Sequence, residues 1–322
     1  MAYSIQDYKS DVHSNWCPGC GDFGILNAVQ MGLMDMQLDP HNVAVFSGVG
    51  CAAKTPHYIQ TYGVHTLHGR VLPFATGAKL ANPNLNIIAV GGDGDGMGIG
   101  AGHFVGTGRM NLDLTYILFN NGVYGLTKGQ ASPTLALGQQ TKSLPQPNSS
   151  GPVNPLLLAF ASGYSFIARG YAYAIPQLKG LIRDAIEHPG LSFVEVLQPC
   201  PTYNNINTRE WYGGADRKDA EGTARPRVYN LEDQDHDPLI SSETATEARH
   251  AKVGVFIEKA LEWGDAIPTG TFLRNLTQNT YEERIGARIE TYRSEPPARR
   301  QIEDNQQSVA DLTPLFEELR VF

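Results

Sequence analysis

Basic charge is in short supply in this 322-residue chain. Lys and Arg number 25 against 33 Asp and Glu, a formal net charge of −8. That balance excludes the basic footprint on which non-specific nucleic-acid binding depends. No apolar run approaches the length of a membrane span, and the N-terminus, MAYSIQDYKSDVHSNW, lacks the basic start and apolar core of a secretory signal. These absences lead us to expect a soluble, cytoplasmic protein that engages neither nucleic acid nor membrane. Charge of either sign is thin in residues 1–200, with 10 Lys/Arg and 11 Asp/Glu against 15 and 22 in residues 201–322. Either Gly, Asn, Ser and Thr solvate a large α/β core, or much of this surface is buried against another polypeptide, the reading we favour.

What the chain does have is a pair of apolar runs that end in turn residues. Asn86-Ile87-Ile88-Ala89-Val90 empties into Gly91-Gly92-Asp93-Gly94-Asp95-Gly96, and Leu114 to Phe119 ends in Asn120-Asn121-Gly122. Glycines let backbone N–H groups approach phosphate oxygens closely. Asp93 and the side-chain oxygen of Asn121 are hard ligands suited to Mg²⁺, which takes one or two carboxylates plus phosphate oxygens. A lone Gly-rich loop says little; the two runs together read as a diphosphate-plus-metal site.

The rest of the first 200 residues alternates. Ile25, Leu26, Val29, Leu33 and Met36 follow a helical period with Asp22 at its start, and Val43 to Ser47 reads as a buried strand. Helices are expected over 70–81, 98–109, 155–162 and 175–187, and strands over 164–169 and 191–197. Gly100, Gly102, Gly106 and Gly108 weaken the second helix by about 1 kcal/mol each relative to Ala, and suit close packing against a neighbour. Residues 131–154 read as a long functional loop. The pattern is that of an α/β protein, a parallel sheet with helices on both faces. Its residues 1–205 form the main domain. Residues 206–322, with helices expected over 243–263 and 311–320, form a C-terminal extension that wraps a partner. Cys51, Asp93, Asn121 and Cys200 each follow a strand, so they should meet at the carboxyl edge of the sheet, where open α/β sheets bind ligands.

The four cysteines, Cys17, Cys20, Cys51 and Cys200, begin with a C-x-x-C knuckle, Trp16-Cys17-Pro18-Gly19-Cys20-Gly21. Disulfides are not expected in a cytoplasmic chain. A Cys₄ zinc site, unpaired structural thiols and a [4Fe–4S] cluster all remain open. Zinc ribbons usually show two knuckles, whereas clusters accept scattered spacings and Cys-Pro junctions such as Cys17-Pro18 and Cys200-Pro201.

Taken together, WCPGCGDFG (16–24), SGVGC (47–51), HTLHGRVLPFATGAKLANP (65–83), GGDGDGMGIG (91–100), FNNGVYGLTKGQ (119–130) and Cys200 resemble the β subunit of 2-oxoacid:ferredoxin oxidoreductases. The resemblance spans roughly residues 13 to 205, and its opening block is most like the 2-oxoglutarate branch. It implies a thiamine diphosphate-binding fold and an oxidoreductase that converts 2-oxoglutarate, coenzyme A and oxidised ferredoxin reversibly to succinyl-CoA, carbon dioxide and reduced ferredoxin. Mg²⁺ would be held by Asp93, Asn121 and the carbonyl of Val123. Cofactor contacts would come from Gly50, His68, Gly69, Gly92, Gly94, Asp95, Asn121, Val123, Gly125, Leu126 and Thr127. Cys17, Cys20, Cys51 and Cys200 would ligate one [4Fe–4S] cluster. The carboxylate that activates the cofactor's aminopyrimidine normally sits on the partner α subunit, so no catalytic residue is assigned here. The assembly implied is a dimer of αβ heterodimers.

Plainer readings stand beside these. Asp95 either lines the diphosphate or caps a helix, and Tyr124 is read as packing. Lys54 either recognises a distal substrate carboxylate or is a surface lysine. His57, His65 and His103 are left without a role. The rival functions are a pyruvate or branched-chain 2-oxoacid:ferredoxin oxidoreductase, a non-redox thiamine diphosphate decarboxylase or carboligase subunit, and a non-catalytic cofactor-binding scaffold.

Overall fold

Strands buried on both faces read as near-continuous apolar runs, and four such runs make the centre of this molecule. The computed structural model describes residues 2–305 and 307–320, so the outer limits of both expected segments, and residue 306, lie outside the described residues. One nine-stranded sheet organises it, formed by β1 (Val43–Ser47), β2 (Tyr62–His65), β3 (Asn86–Gly92), β4 (Leu114–Asn120), β5 (Phe166–Tyr171), β6 (Leu191–Leu197), β7 (Val228–Asn230), β8 (Leu239–Ile240) and β9 (Ile267–Asn275). The order is β8-β9-β5-β6-β4-β3-β1-β2, with β7 also on β9. From β2 to β5 every pairing is parallel, and β9 joins β5 antiparallel.

Side chains alternate across this sheet with period two. Val45, Val90, Ile117, Phe119 and Val194 face one layer, where α1 (Asp22–Asp35) contributes Ile25, Val29 and Leu33 and a later helix, Ile175–Glu187, contributes Leu178 and Ile182. Phe46, Ala89, Tyr116, Leu118 and Phe193 face the other, packed on α2 (Val71–Ala81), α3 (Ala101–Gly108), α4 (Pro155–Ser162) and, after α5 (Ile175–Glu187), on α6 (Thr246–Leu261). Helices therefore cover both faces, as expected.

Three features depart from the sequence reading. The segment expected to be one helix over 98–109 begins with a π-helical turn, Gly94–Ile99, before α3; such turns are rare and cluster at functional sites. The strand expected over 164–169 starts at Phe166, because Gly163 ends α4 in a left-handed conformation (φ 93°) and the chain needs two residues to re-enter the sheet. The extension beyond residue 205 is in part core: β9 lengthens the main sheet, and Phe256 and Phe272 are buried with the central strands. No described helix is long and apolar enough to cross a membrane.

Candidate functional site at the carboxyl edge

The sheet order places β1, β3, β4 and β6 side by side and parallel. The turns that follow them therefore share one rim. Gly48 to Cys51, Asp93 to Gly100, Asn121 to Thr127 and Gln198 to Cys200 all lie there, and they enclose two adjoining cavities.

The first is a cleft of about 80 Å³ lined by Gly50, Cys51, His68, Gly92, Asp93, Gly94, Asp95, Asn121, Val123, Tyr124, Gly125, Leu126 and Thr127 among others. Of the residues expected to contact the cofactor, only Gly69 is absent from its wall. Gly69 sits behind it, with its N–H bonded to the Asp95 carboxylate at 2.7 Å. Asp93 is 1% exposed and forms the floor of the cleft. Its Oδ2 accepts from the Gly122 N–H at 2.9 Å, from the Thr134 hydroxyl at 2.5 Å and from the Ser132 hydroxyl. Burial pushes the Asp93 carboxyl up, and these donors pull it back. A buried carboxylate fixed by three donors is preorganised for a hard cation. Asn121 Oδ1 accepts from the Val123 N–H at 3.0 Å and keeps lone-pair capacity beside it.

Asp95 neither points away from the site nor caps a helix. Its Oδ1 ties three segments together, accepting from His68 Nδ1 at 2.5 Å, Gly69 N–H at 2.7 Å and Val49 N–H at 3.1 Å. Tyr124 packs on the π-turn: a Cβ on Gly94 would lie 2.3 Å from its ring. Glycine is required there by contact, not by backbone angle.

The second cavity, of about 180 Å³, is lined by Cys17, Cys20, Cys51 and Cys200 together with Asp22, Lys54, Asn121, Gly125, Leu126 and Gln198. Cys20 and Cys200 are buried, Cys51 half-buried and Cys17 exposed. Burial pushes the Cys51 thiol up to about 11 and those of Cys20 and Cys200 up as well. Among the described residues no three His, Cys, Asp or Glu side chains converge as the shell of one ion. Four thiols spread around one cavity suit a cubane better, since each sulfur then binds a different iron. Asp22 is 1% exposed, and burial pushes its carboxyl up to about 7 against the opposing pull of the neighbouring Cys20 thiol and the Lys54 charge. Lys54 donates to Asn15 Oδ1 at 2.8 Å on the same wall. His65 bonds Ser47 and the Ala53 carbonyl, while His57 and His103 are not part of either cavity wall.

Sequence reasoning missed Ser132, Thr134 and Gln198. The first two sit in the loop read as functional, but nothing in their spacing pointed to Asp93. Gln198 lies two residues before Cys200, a proximity that was the one available signal.

Comparison with known proteins places this geometry in context. The model of the family described as "Thiamine pyrophosphate enzyme, C-terminal TPP binding domain" matches residues 41–196, and the model of the C-terminal part of the pyruvate ferredoxin oxidoreductase beta subunit matches residues 200–289. The chain is 50% identical to the 2-oxoacid:ferredoxin oxidoreductase subunit beta of Saccharolobus solfataricus, over 96% of this chain and 97% of that one. It is 42% identical to the 2-oxoglutarate oxidoreductase subunit KorB of Mycobacterium tuberculosis, over 62% of this chain and 54% of that one. A solved structure of 2-oxoglutarate:ferredoxin oxidoreductase from Magnetococcus marinus, with 2-oxoglutarate, coenzyme A and succinyl-CoA bound, superposes with a TM-score of 0.80 at 32% identity, covering 99% of this chain and 97% of that one.

Proposed function

The chain belongs to the β subunits of the 2-oxoacid:ferredoxin oxidoreductases, and from that premise we propose that with its α subunit it converts 2-oxoglutarate and coenzyme A to succinyl-CoA and carbon dioxide, the electrons released passing through its own iron–sulfur cluster to ferredoxin. One observation carries the redox part of this reading. Cys51, Asn121, Gly125 and Leu126 line both the Asp93 cleft and the cysteine cavity, so a group in one is a near neighbour of a group in the other.

Thiamine diphosphate, when bound, supplies the electron sink for decarboxylation. The chain's own residues position it. Asp93, Asn121 and the Val123 carbonyl would hold Mg²⁺, Gly92 and Gly94 would leave room for the diphosphate, and Gly50, His68 and the 122–127 loop line the rest of the cleft. Asp95 acts behind this layer by fixing His68 and Gly69. Cys17, Cys20, Cys51 and Cys200 hold one [4Fe–4S] cluster, and the fit rests on their common cavity. Lys54 lines that cysteine cavity and not the Asp93 cleft, and its ammonium is engaged by Asn15 Oδ1, which favours the plainer reading of a surface lysine over a contact to the distal carboxylate of the substrate.

The cleft is far smaller than the roughly 300 Å³ or more that usually encloses a cofactor, so another surface must complete it. Leu67, Phe74 and Ile99 are 68%, 49% and 54% exposed beside it, and Gly77, Gly102 and Gly106 face open space. We assign this face to the α subunit, which also supplies the activating carboxylate. The extension after residue 205 adds Leu312, Leu315, Phe316 and Leu319, all exposed, as a further contact for that partner. The assembly proposed is a cytoplasmic dimer of αβ heterodimers.

The 50%-identical relative carries the general name 2-oxoacid, which favours a broader substrate range as the second reading. The test is anaerobic co-purification with the α subunit, assay of iron and acid-labile sulfide, and ferredoxin reduction with 2-oxoglutarate, pyruvate and a branched 2-oxoacid in turn. Four irons per β subunit and a kcat/KM highest for 2-oxoglutarate support the proposal. Colourless, iron-free protein that still decarboxylates would establish the non-redox alternative.

A further inference from the structure

Gln198 is 2% exposed and stands between the two cavities. Its Oε1 accepts from Asn121 Nδ2 at 2.7 Å. Its Nε2 donates to the Pro199 carbonyl at 2.9 Å and to Cys20 Sγ at 3.3 Å. Both amide orientations are fixed by backbone groups. A flipped Gln198 would set its oxygen against the Pro199 carbonyl, and a flipped Asn121 would set its NH₂ against the Val123 N–H that Oδ1 now accepts. Space for the side chain is kept open by Gly21, where a Cβ would lie 2.9 Å from Gln198 Cγ.

We propose that Gln198 is a positioning residue that joins the metal–diphosphate site to the cysteine site, orienting Asn121 with one end of its amide and donating to the Cys20 sulfur with the other. This rests on the assignment of the metal and the cluster made above. At the first end, the bond from Asn121 Nδ2 holds the amide in the same orientation that the Val123 N–H selects, and so keeps Oδ1 as the atom that would face the metal. Such outer partners typically change metal affinity 10–100-fold when removed. At the second end, an N–H donated to a cluster thiolate stabilises the more negative, reduced cluster and so raises its potential. One side chain thereby sets ligand geometry on the decarboxylation side and electron affinity on the acceptor side.

The two ends can be separated in the purified αβ enzyme. Gln198→Met removes both bonds at nearly constant volume. Gln198→Glu keeps an acceptor for Asn121 and loses the donor to sulfur. The readouts are an EPR-monitored redox titration of the cluster and the Mg²⁺ concentration that half-saturates thiamine diphosphate binding. Gln198→Met should titrate at a more negative potential and need about tenfold more Mg²⁺. Gln198→Glu should also shift negative, with a Mg²⁺ requirement within threefold of wild type. If both variants carry clusters and titrate where the wild type does, or if Gln198→Met binds Mg²⁺ as the wild type does, the bridge is refuted. Failure of the underlying reading looks different: wild-type protein without iron removes the cluster, and Asp93→Ala with undiminished Mg²⁺-dependent cofactor binding removes the metal site.

Discussion

The Thr134 hydroxyl donates to Asp93 Oδ2 at 2.5 Å from 41 residues further along the chain, and the same hydroxyl lies 2.8 Å from Asn120 Oδ1. A segment without regular structure, residues 132–154, thus reaches the floor of the cleft. Thr134→Val keeps the shape and removes the donor. We expect Mg²⁺-dependent binding of thiamine diphosphate to weaken 10–100-fold, with Thr134→Ser near wild type; calorimetric titration of both variants checks it. Equal affinity in all three proteins would make the contact incidental.

Gly94→Ala should be costly for a different reason. The new methyl would meet the Tyr124 ring at 2.3 Å, and overpacking of this kind costs about 1–3 kcal/mol. Gly94→Ala combined with Tyr124→Leu should recover most of that loss. Denaturant midpoints of the single and double variants measure the coupling, and purely additive effects would contradict it.

Cys200→Ser should lose or damage the cluster. Cys200 is buried on the same cavity as the other three cysteines, though it is remote in sequence. Iron per β subunit after anaerobic purification is the measurement. Full iron stoichiometry in this variant would require a different ligand set.

His188 bears on stability, not chemistry. It is 1% exposed, and burial, helped by the charge of Arg274, pushes its imidazole down to about 4. The unfolded chain takes up this proton near the ordinary value, about 6.5, before the folded one does. The stabilisation from keeping His188 neutral is therefore complete above about pH 6.5 and is lost as pH falls toward 4. The loss amounts to about 3 kcal/mol. Urea unfolding at pH 7 and pH 4.5 should show a smaller acid penalty in His188→Gln than in the wild type; identical penalties would clear His188 of this role.

Much of the architecture was legible because its local chemistry was unambiguous. Val43–Ser47 and Leu191–Leu197 are mostly apolar, broken only by Ser47, Ser192 and Glu195, and are flanked by turn residues, and they are strands at those bounds. Pro155–Ser162 starts on the Asn154 cap and stops at Gly163. β9 was not legible: Ile267–Asn275 contains Pro268 and Gly270, which locally disfavour a strand, and the segment is a strand because β5 offers it an open edge. The π-turn at Gly94–Ile99 was hidden for a related reason, since its glycines report only weak helix propensity.

The sequence by itself determined which groups are available: a carboxylate in a glycine turn, a paired Asn after a strand, and four thiols. It also indicated their common edge, because parallel strands must all end on the same side. Tertiary structure alone decided which of these groups touch. The sheet seats β6 directly beside β4, with β5 beyond it and β2 outside β1, so the neighbours of Asn121 include Gln198, 77 residues away, and the loop after β4 brings Thr134 to Asp93. Such pairings depend on where crossovers return each strand, and no local pattern of residues records that.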